Sequence, residues 1–266
     1  MIEPIKVAVS GAGGKMGKEV VKMVLADSSL QLAVAIDRTG GIDAGILAGA
    51  EACGVMVQED LELALIEARP DVLVDFTTPH SVIENTKIAI RNRVRPVIGT
   101  TGFTPQDIVE LDKLCVEQGI GGIIAPNFSI GAILMMKFSA MAAKYMPHVE
   151  IVEYHGDQKL DAPSGTAMLT AEMIARSREE FRQGNPQEKE TLEGARGGYY
   201  NGFRVHSVRL PGIFAQQEVL FGGHGQTLKI RHDSYERAGY MPGVNVAVKK
   251  VMEFTGLIYG FEHLID

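Results

Sequence analysis

The 266-residue chain has no surplus of positive charge: 26 Lys and Arg stand against 33 Asp and Glu, for a net charge of -7. Nothing in that balance neutralises a phosphate backbone, so nucleic acid is not an expected partner. Cysteine is scarce. Cys53 and Cys115 lie far apart and match no metal-ligand spacing, so they read as free thiols in a reducing compartment, and no metal site is expected. Long hydrophobic runs are missing too: Ile130 to Ala143 falls short of the ~20 residues a membrane helix needs and carries Lys137. It reads as a buried helix, with Met135, Met136, Met141 and Met146 as core filler, and no membrane partner is expected. The opening M-I-E-P-I-K-V-A-V-S has no basic region followed by an apolar core, so no signal peptide is expected. There is no internal repeat and no low-complexity tract. The length allows one large or two medium domains, and 45% hydrophobic with 22% charged residues is ordinary for a soluble globular protein.

What the chain does have is one stretch, Glu153 to Ala167, where polar chemistry is concentrated: E-Y-H-G-D-Q-K-L-D-A-P-S-G-T-A. It follows a strand-like run (Val149, Ile151, Val152, Tyr154) and ends where a helical pattern begins, which places it on a strand-to-helix loop. His155 offers a proton donor or acceptor, and Lys159 a cation four residues on. Pro163-Ser164-Gly165-Thr166 reads as a helix entrance with Ser164 as N-cap. The backbone N–H groups of Gly165 and Thr166, with the helix dipole, then form a site for a carboxylate or phosphate. A cation beside such a site points to an acidic small molecule. The plainer alternative is solvated loop followed by an ordinary capped helix.

In chain order, Val7-Ala8-Val9 reads as a buried strand, followed at once by Ser10-Gly11-Ala12-Gly13-Gly14-Lys15-Met16-Gly17. A helical pattern (Met16, Val20, Val21, Met23, Val24, Leu25) and a second strand, Leu32 to Ile36, lead to Asp37. Strand, glycine turn, helix, strand and acid is the order of a doubly wound parallel sheet of the Rossmann type. The glycines admit a pyrophosphate, the helix N-terminus stabilises its charge, and Asp37 accepts hydrogen bonds from a ribose. Met16 breaks the usual G-x-G-x-x-G spacing. Asp37 favours the free 2′-hydroxyl of NADH, whereas Arg38 and Lys15 accommodate the 2′-phosphate of NADPH. Gly40 to Gly54 reads as a loop and Val55 to Val57 as a short strand, with an amphipathic helix over Leu61 to Ala68. Three further strands end in small or hydroxylated residues, at Thr77-Thr78-Pro79, at Gly99-Thr100-Thr101 and at Pro126-Asn127-Phe128-Ser129 after Ala125. Together they look like the wall of a nicotinamide site. Beyond Ser129 the chain reads as an α+β domain: a Met-rich helix to about Tyr145, a strand from Val149 to His155, and mostly adjacent strands at Phe203 to Leu210, Ala215 to Phe221 and Gln226 to His232. Glu179 to Gly198 reads as surface loop. A last helix, Val244 to Tyr259, is expected to pack back on the first domain. The expected domains are therefore 1–128 with 241–266, and 129–240.

With these residues in view, the chain resembles the 4-hydroxy-tetrahydrodipicolinate reductase (dihydrodipicolinate reductase) family. The resemblance runs through G-A-G-G-K-M-G, D-F-T-T-P at Asp75, G-T-T-G-F at Gly99, P-N-F-S-I-G at Pro126 and K-L-D-A-P-S-G-T-A at Lys159. It implies a cytoplasmic, homotetrameric enzyme of lysine and diaminopimelate biosynthesis that uses NADH or NADPH to reduce a dicarboxylate heterocycle. Its second domain would bind the substrate and assemble the tetramer. By the same resemblance Gly11, Ala12, Gly13, Gly14, Lys15 and Met16 hold the pyrophosphate, and Asp37 and Arg38 the adenosine ribose. Gly99, Thr100, Thr101, Ala125, Pro126, Asn127 and Phe128 hold the nicotinamide half. His155 and Lys159 are the implied catalytic pair, with Lys159 the proton donor, and Ser164, Gly165 and Thr166 the implied carboxylate site. Gly156 departs from the pattern, since many members carry a second His there; a ring contact to substrate is lost or replaced. Two other readings are another two-domain NAD(P)-dependent dehydrogenase of amino or oxo acids, and a nucleotide sensor without catalysis.

Overall fold

A computed structural model of the chain describes residues 3–265, which divide into two compact units: residues up to Ser129 with those from Tyr240 onward, and Ile130–Gly239. The first unit alternates strand and helix: β1 (Ile5–Ser10), α1 (Lys15–Ala26), β2 (Leu30–Ile36), α2 (Ala44–Ala48), β3 (Val57–Gln58), α3 (Leu61–Ala68), β4 (Val72–Asp75), α4 (Val82–Arg91), β5 (Arg95–Ile98), α5 (Pro105–Gln118) and β6 (Gly121–Ile124). The second contributes α6 (Ile130–Ala143), β7 (His148–His155), α7 (Gly165–Ser177), β8 (Gly198–Tyr200), β9 (Phe203–Arg209), β10 (Ala215–Gly223) and β11 (Gln226–Ser234). The chain then returns to the first unit through α8 (Met241–Lys250) and β12 (Gly256–Tyr259).

The first sheet is parallel throughout, in the order β12-β6-β5-β4-β1-β2-β3. Helices cover both faces of such a sheet, so its strands are continuously apolar: Val72, Leu73 and Val74 are fully buried, as is Val97. The strand order reverses between β1 and β4, and the crevice at their carboxyl ends is where this architecture binds ligands.

Several expectations need correcting. The Gly40–Gly54 segment is not all loop. Asp43 caps α2 by accepting from the N–H groups of Gly45 and Ile46, and the same carboxylate accepts from Cys53 and Gly54. Five residues are too few for a helical period to show in sequence, so the cap, not the pattern, makes this helix. The short strand falls at Val57–Gln58, not Val55 to Val57. The last helix ends at Lys250; Gly256, at φ +95°, turns the chain so that Leu257, Ile258 and Tyr259 pair with β6. α8 is tied to the end of α1 by Lys249 and Asn245, each 2.8 Å from Asp27 Oδ2.

The second sheet runs β11-β10-β7-β9-β8: of the four strands expected from the sequence, β7 and β9 are neighbours and so are β10 and β11, but β9 and β10 are not. β9 and β10 follow each other in sequence, yet β7 lies between them, parallel to β9 and antiparallel to β10. A parallel neighbour requires a crossover, and α7 lies on that connection. α6 and α7 contact strands of this sheet. Of the Met residues expected in the core, Met135 and Met136 are buried, but Met141 is 57% exposed because it sits on the opposite side of α6. No helix among the described residues is long and apolar enough to cross a membrane.

Candidate active site

In the first unit the glycine turn is built by close backbone approach. Gly11 has φ +77°, and a Cβ there would lie 2.6 Å from the Phe76 carbonyl oxygen at the end of β4. A Cβ on Gly17 would lie 2.0 Å from the Gly11 carbonyl oxygen, so only glycine lets the first turn of α1 pack on the loop. Ala12 is buried, with its N–H on the Ile36 carbonyl. α1 begins at Lys15 after Gly14, with no side-chain cap and no acid in its first turn. By contrast, Asp60 caps α3, and Thr104 with Asp107 forms a capping box on α5. The positive end of α1 therefore faces the turn without a carboxylate of its own, which suits a phosphate. Lys15 is exposed and Met16 half-buried beside it. Asp37 accepts from the Gly13 N–H at 2.7 Å through Oδ2 and from the Arg38 N–H at 2.7 Å through Oδ1, which binds the acid to the glycine loop. The Arg38 side chain is exposed.

Along the same edge, Asp75 is fully buried and organises the strand ends. Its Oδ1 accepts from the Thr77 N–H and hydroxyl at 2.9 and 2.7 Å and from the Thr100 hydroxyl at 3.2 Å; its Oδ2 accepts from Asn85 Nδ2 at 2.9 Å. Gly99 is required beneath this network, since a Cβ would enter the Phe76 ring. Thr101 and Pro126 are exposed, Ala125 gives its N–H to the Ile98 carbonyl, and Asn127 Oδ1 accepts from the Ser129 N–H. The Phe128 ring is turned into the core, 6.0 Å from Phe76 and 5.5 Å from Phe261, so only its backbone is placed to meet a cofactor.

In the second unit β7 ends at His155, and the loop to α7 carries the other candidates. His155 Nδ1 lies 2.5 Å from Glu153 Oε2. Glu153 is fully buried and also meets Arg209 in a two-pronged pair, at 2.9 and 2.7 Å, while its Oε1 accepts the Ser164 N–H at 3.2 Å. Arg209 in turn donates to the Asp161 carbonyl at 2.8 Å. Lys159 Nζ is 2.7 Å from Asp161 Oδ1, and its side chain is 27% exposed. Ser164 Oγ accepts the Ala167 N–H at 3.2 Å and so caps α7. Gly165 is exposed, and Gly156 is half-buried at the start of the loop. A hydroxyl chain stiffens this helix entrance: buried Gln217 on β10 donates to Thr170, which donates to the Thr166 carbonyl.

Sequence reasoning missed Glu153, Arg209 and Asp75. A signal for Glu153 was available: strand alternation puts it on the same face as buried Val149 and Ile151, where a carboxylate is out of place. Arg209 reaches it only through the β7–β9 register, which pairs His155 with Arg209. Burial pushes the Glu153 carboxyl up, but hydrogen bonds from His155, Arg209 and Ser207 outweigh it and lower the group from 4.5 to about 2. A carboxylate depressed by folding stabilises the native state above its unfolded value and loses that contribution as pH falls through the folded one. Thermal unfolding followed between pH 4.5 and 2 should therefore show stability falling with acid, more steeply than in a Glu153→Gln chain; equal slopes would mean the pair contributes nothing.

Comparison with known proteins bears on both units. The family model described as dihydrodipicolinate reductase, N-terminus, matches residues 5–128, and the one for the C-terminus matches residues 131–265. The chain belongs to the dihydrodipicolinate reductase family. It is 52% identical over 263 residues to the 4-hydroxy-tetrahydrodipicolinate reductase of Geobacillus kaustophilus, covering 98% of this chain and 99% of that one. The corresponding protein of Bacillus licheniformis is 54% identical over 264 residues, with 99% of each covered. Among solved structures, the dipicolinate-bound dihydrodipicolinate reductase of Paenisporosarcina sp. TG-14 superposes with a TM-score of 0.89 at 48% identity, covering 98% of this chain and all of that one. The family's N-terminal region lies within the unit that carries the glycine turn, and its C-terminal region includes the loop with His155 and Lys159 together with α8 and β12 of the first unit.

Proposed function

We propose that the chain is a 4-hydroxy-tetrahydrodipicolinate reductase: it reduces a hydroxylated heterocyclic dicarboxylate with NADH or NADPH, in lysine and diaminopimelate biosynthesis. The observation that carries this is a lysine, Lys159, set on the same short loop as the N-terminus of α7, in a chain more than half identical along its length to curated reductases of that name. Two carboxylates on a substrate suit such paired sites, one cationic and one built from backbone N–H groups.

A bound nicotinamide cofactor would supply the hydride. The positive end of α1 fits its pyrophosphate, because the glycines leave room and no side chain caps the helix. Asp37, held by the Gly13 and Arg38 N–H groups, keeps lone pairs for a ribose hydroxyl, while exposed Arg38 and Lys15 suit a 2′-phosphate, so both cofactors are accepted. After the ring hydroxyl leaves as water, Lys159 would neutralise the negative charge that hydride addition develops on the unsaturated ring and donate the proton that completes the reduction; Asp161 holds the ammonium ready on the loop. The entrance of α7, at Ser164, Gly165 and Thr166, takes a substrate carboxylate. His155 either shapes this pocket or shares in the proton transfer. The protein would act as a homotetramer assembled on the second unit's sheet, which light scattering would register as four chain masses.

The test is loss of reduced-nicotinamide absorbance when the substrate is generated in the cuvette by a coupled aldol condensation. Oxidation of NADH or NADPH dependent on that substrate is expected. Cofactor binding without oxidation would instead make the chain a sensor, and turnover on an amino acid alone would make it another dehydrogenase.

Gly156 provides a second test. A Cβ there meets the Ile213 carbonyl oxygen at 3.2 Å, so a side chain enters once that backbone gives by a few tenths of an ångström. Gly156→His is expected to lower the substrate KM by about tenfold, the worth of one hydrogen bond to a charged group, with kcat little changed. An unchanged KM would show that the ring does not reach the substrate.

A further inference from the structure

β7 alternates in the ordinary way, and the residue that falls on its inner face between Ile151 and the strand end is a glutamate with no exposed surface. An isolated carboxylate there would be costly, and this one is retained as an anion by the two-pronged pair with Arg209. An ionised carboxylate only accepts hydrogen bonds. The 2.5 Å contact with His155 therefore requires the proton on Nδ1, leaving Nε2 as the ring atom that accepts or gives a proton elsewhere. The same two residues also reach the rest of this loop. Glu153 Oε1 takes the Ser164 N–H at the mouth of α7, and Arg209 binds the Asp161 carbonyl, next to the side chain that anchors Lys159.

We propose that Glu153, clamped by Arg209, is a positioning residue: it fixes His155 as the Nδ1–H tautomer and locks the Lys159 loop and the α7 entrance into one arrangement. This rests on the reading of His155 as a participant in the reaction. A neutral glutamine at 153 keeps the volume but presents an amide N–H₂ toward Arg209 or His155. It breaks the two-pronged pair in the first case and reverses the tautomer in the second.

The first measurement needs no variant. Ring-nitrogen NMR of the ¹⁵N-histidine-labelled protein, with the His155 signal assigned by its loss in His155→Asn, should show a protonated Nδ1 and an unprotonated Nε2 when the ring is neutral; protonation at Nε2 would overturn the proposal. The second is kinetic. Glu153→Gln should lower kcat by at least about tenfold, within the range of acid–base contributions, while KM for the nicotinamide cofactor stays within about twofold, since the glycine turn is in the other unit. A merely structural lesion would reduce active protein and leave kcat per active site and the wild-type tautomer unchanged, which would also overturn it. If the tautomer is as expected but His155→Asn turns over at the wild-type rate, the role assigned to His155 fails and the clamp has nothing to position. Loss of activity on both substitutions with Nε2–H in the wild type would instead keep His155 in the reaction and remove Glu153.

Discussion

Lys159→Ala is expected to lower kcat by ~100-fold, the lower end of what a positioned general acid contributes. The side chain is partly exposed and pairs with Asp161, which is itself 59% exposed. A surface pair of that kind is worth about 0–1 kcal/mol, so the melting temperature should hardly move. The substitution therefore separates chemistry from folding. Lys159→Arg sharpens the result: it keeps the positive charge for a carboxylate but does not give up a proton near neutral pH. If Lys159 only bound the substrate, arginine would restore most of the turnover. If it donates the proton, arginine should recover KM and leave kcat low. Wild-type kcat in the alanine chain would remove Lys159 from the mechanism.

Gly17→Ala should weaken the other half of the reaction, cofactor binding. A methyl group at that position would stand 2.0 Å from the Gly11 carbonyl oxygen and 2.9 Å from the Ala12 Cα, all of them backbone atoms with no rotamer to yield. The turn or the start of α1 has to move, at a cost of about 1–3 kcal/mol in stability. Because the same backbone forms the proposed pyrophosphate site, calorimetric titration with NADH should show affinity reduced by about tenfold or more. An unaltered dissociation constant in a folded protein would mean that the cofactor does not use the α1 terminus.

How much of this was legible in the sequence depended on whether the determining contacts were local. The run from Val7 through Gly17 to Asp37 carries its own geometry, because strand, tight turn and helix are specified within a few residues of each other. Ser164 as the cap of α7 was legible for the same reason. α2 was not, since five residues show no period and its stability comes from an Asp43 carboxylate shared with Cys53 and Gly54 across the loop. β12 was misread because Leu257-Ile258-Tyr259 continues the apolar character of α8, and only the partner strand β6 makes it extended. At the site, Glu153 was missed although strand alternation puts it on the inward face, and its meaning needed Arg209, 56 residues away. That pairing follows from β7 lying between β9 and β10, a topology that no local pattern encodes.

The measurement that tests the central claim most directly is a crystal structure of the protein with reduced cofactor and pyridine-2,6-dicarboxylate. The account expects one carboxylate within hydrogen-bond distance of Lys159 Nζ, the other at the N–H groups of Gly165 and Thr166, and the pyrophosphate on the first turn of α1. A dicarboxylate bound away from the 155–166 loop, or Lys159 still held by Asp161 with no ligand contact, would contradict it.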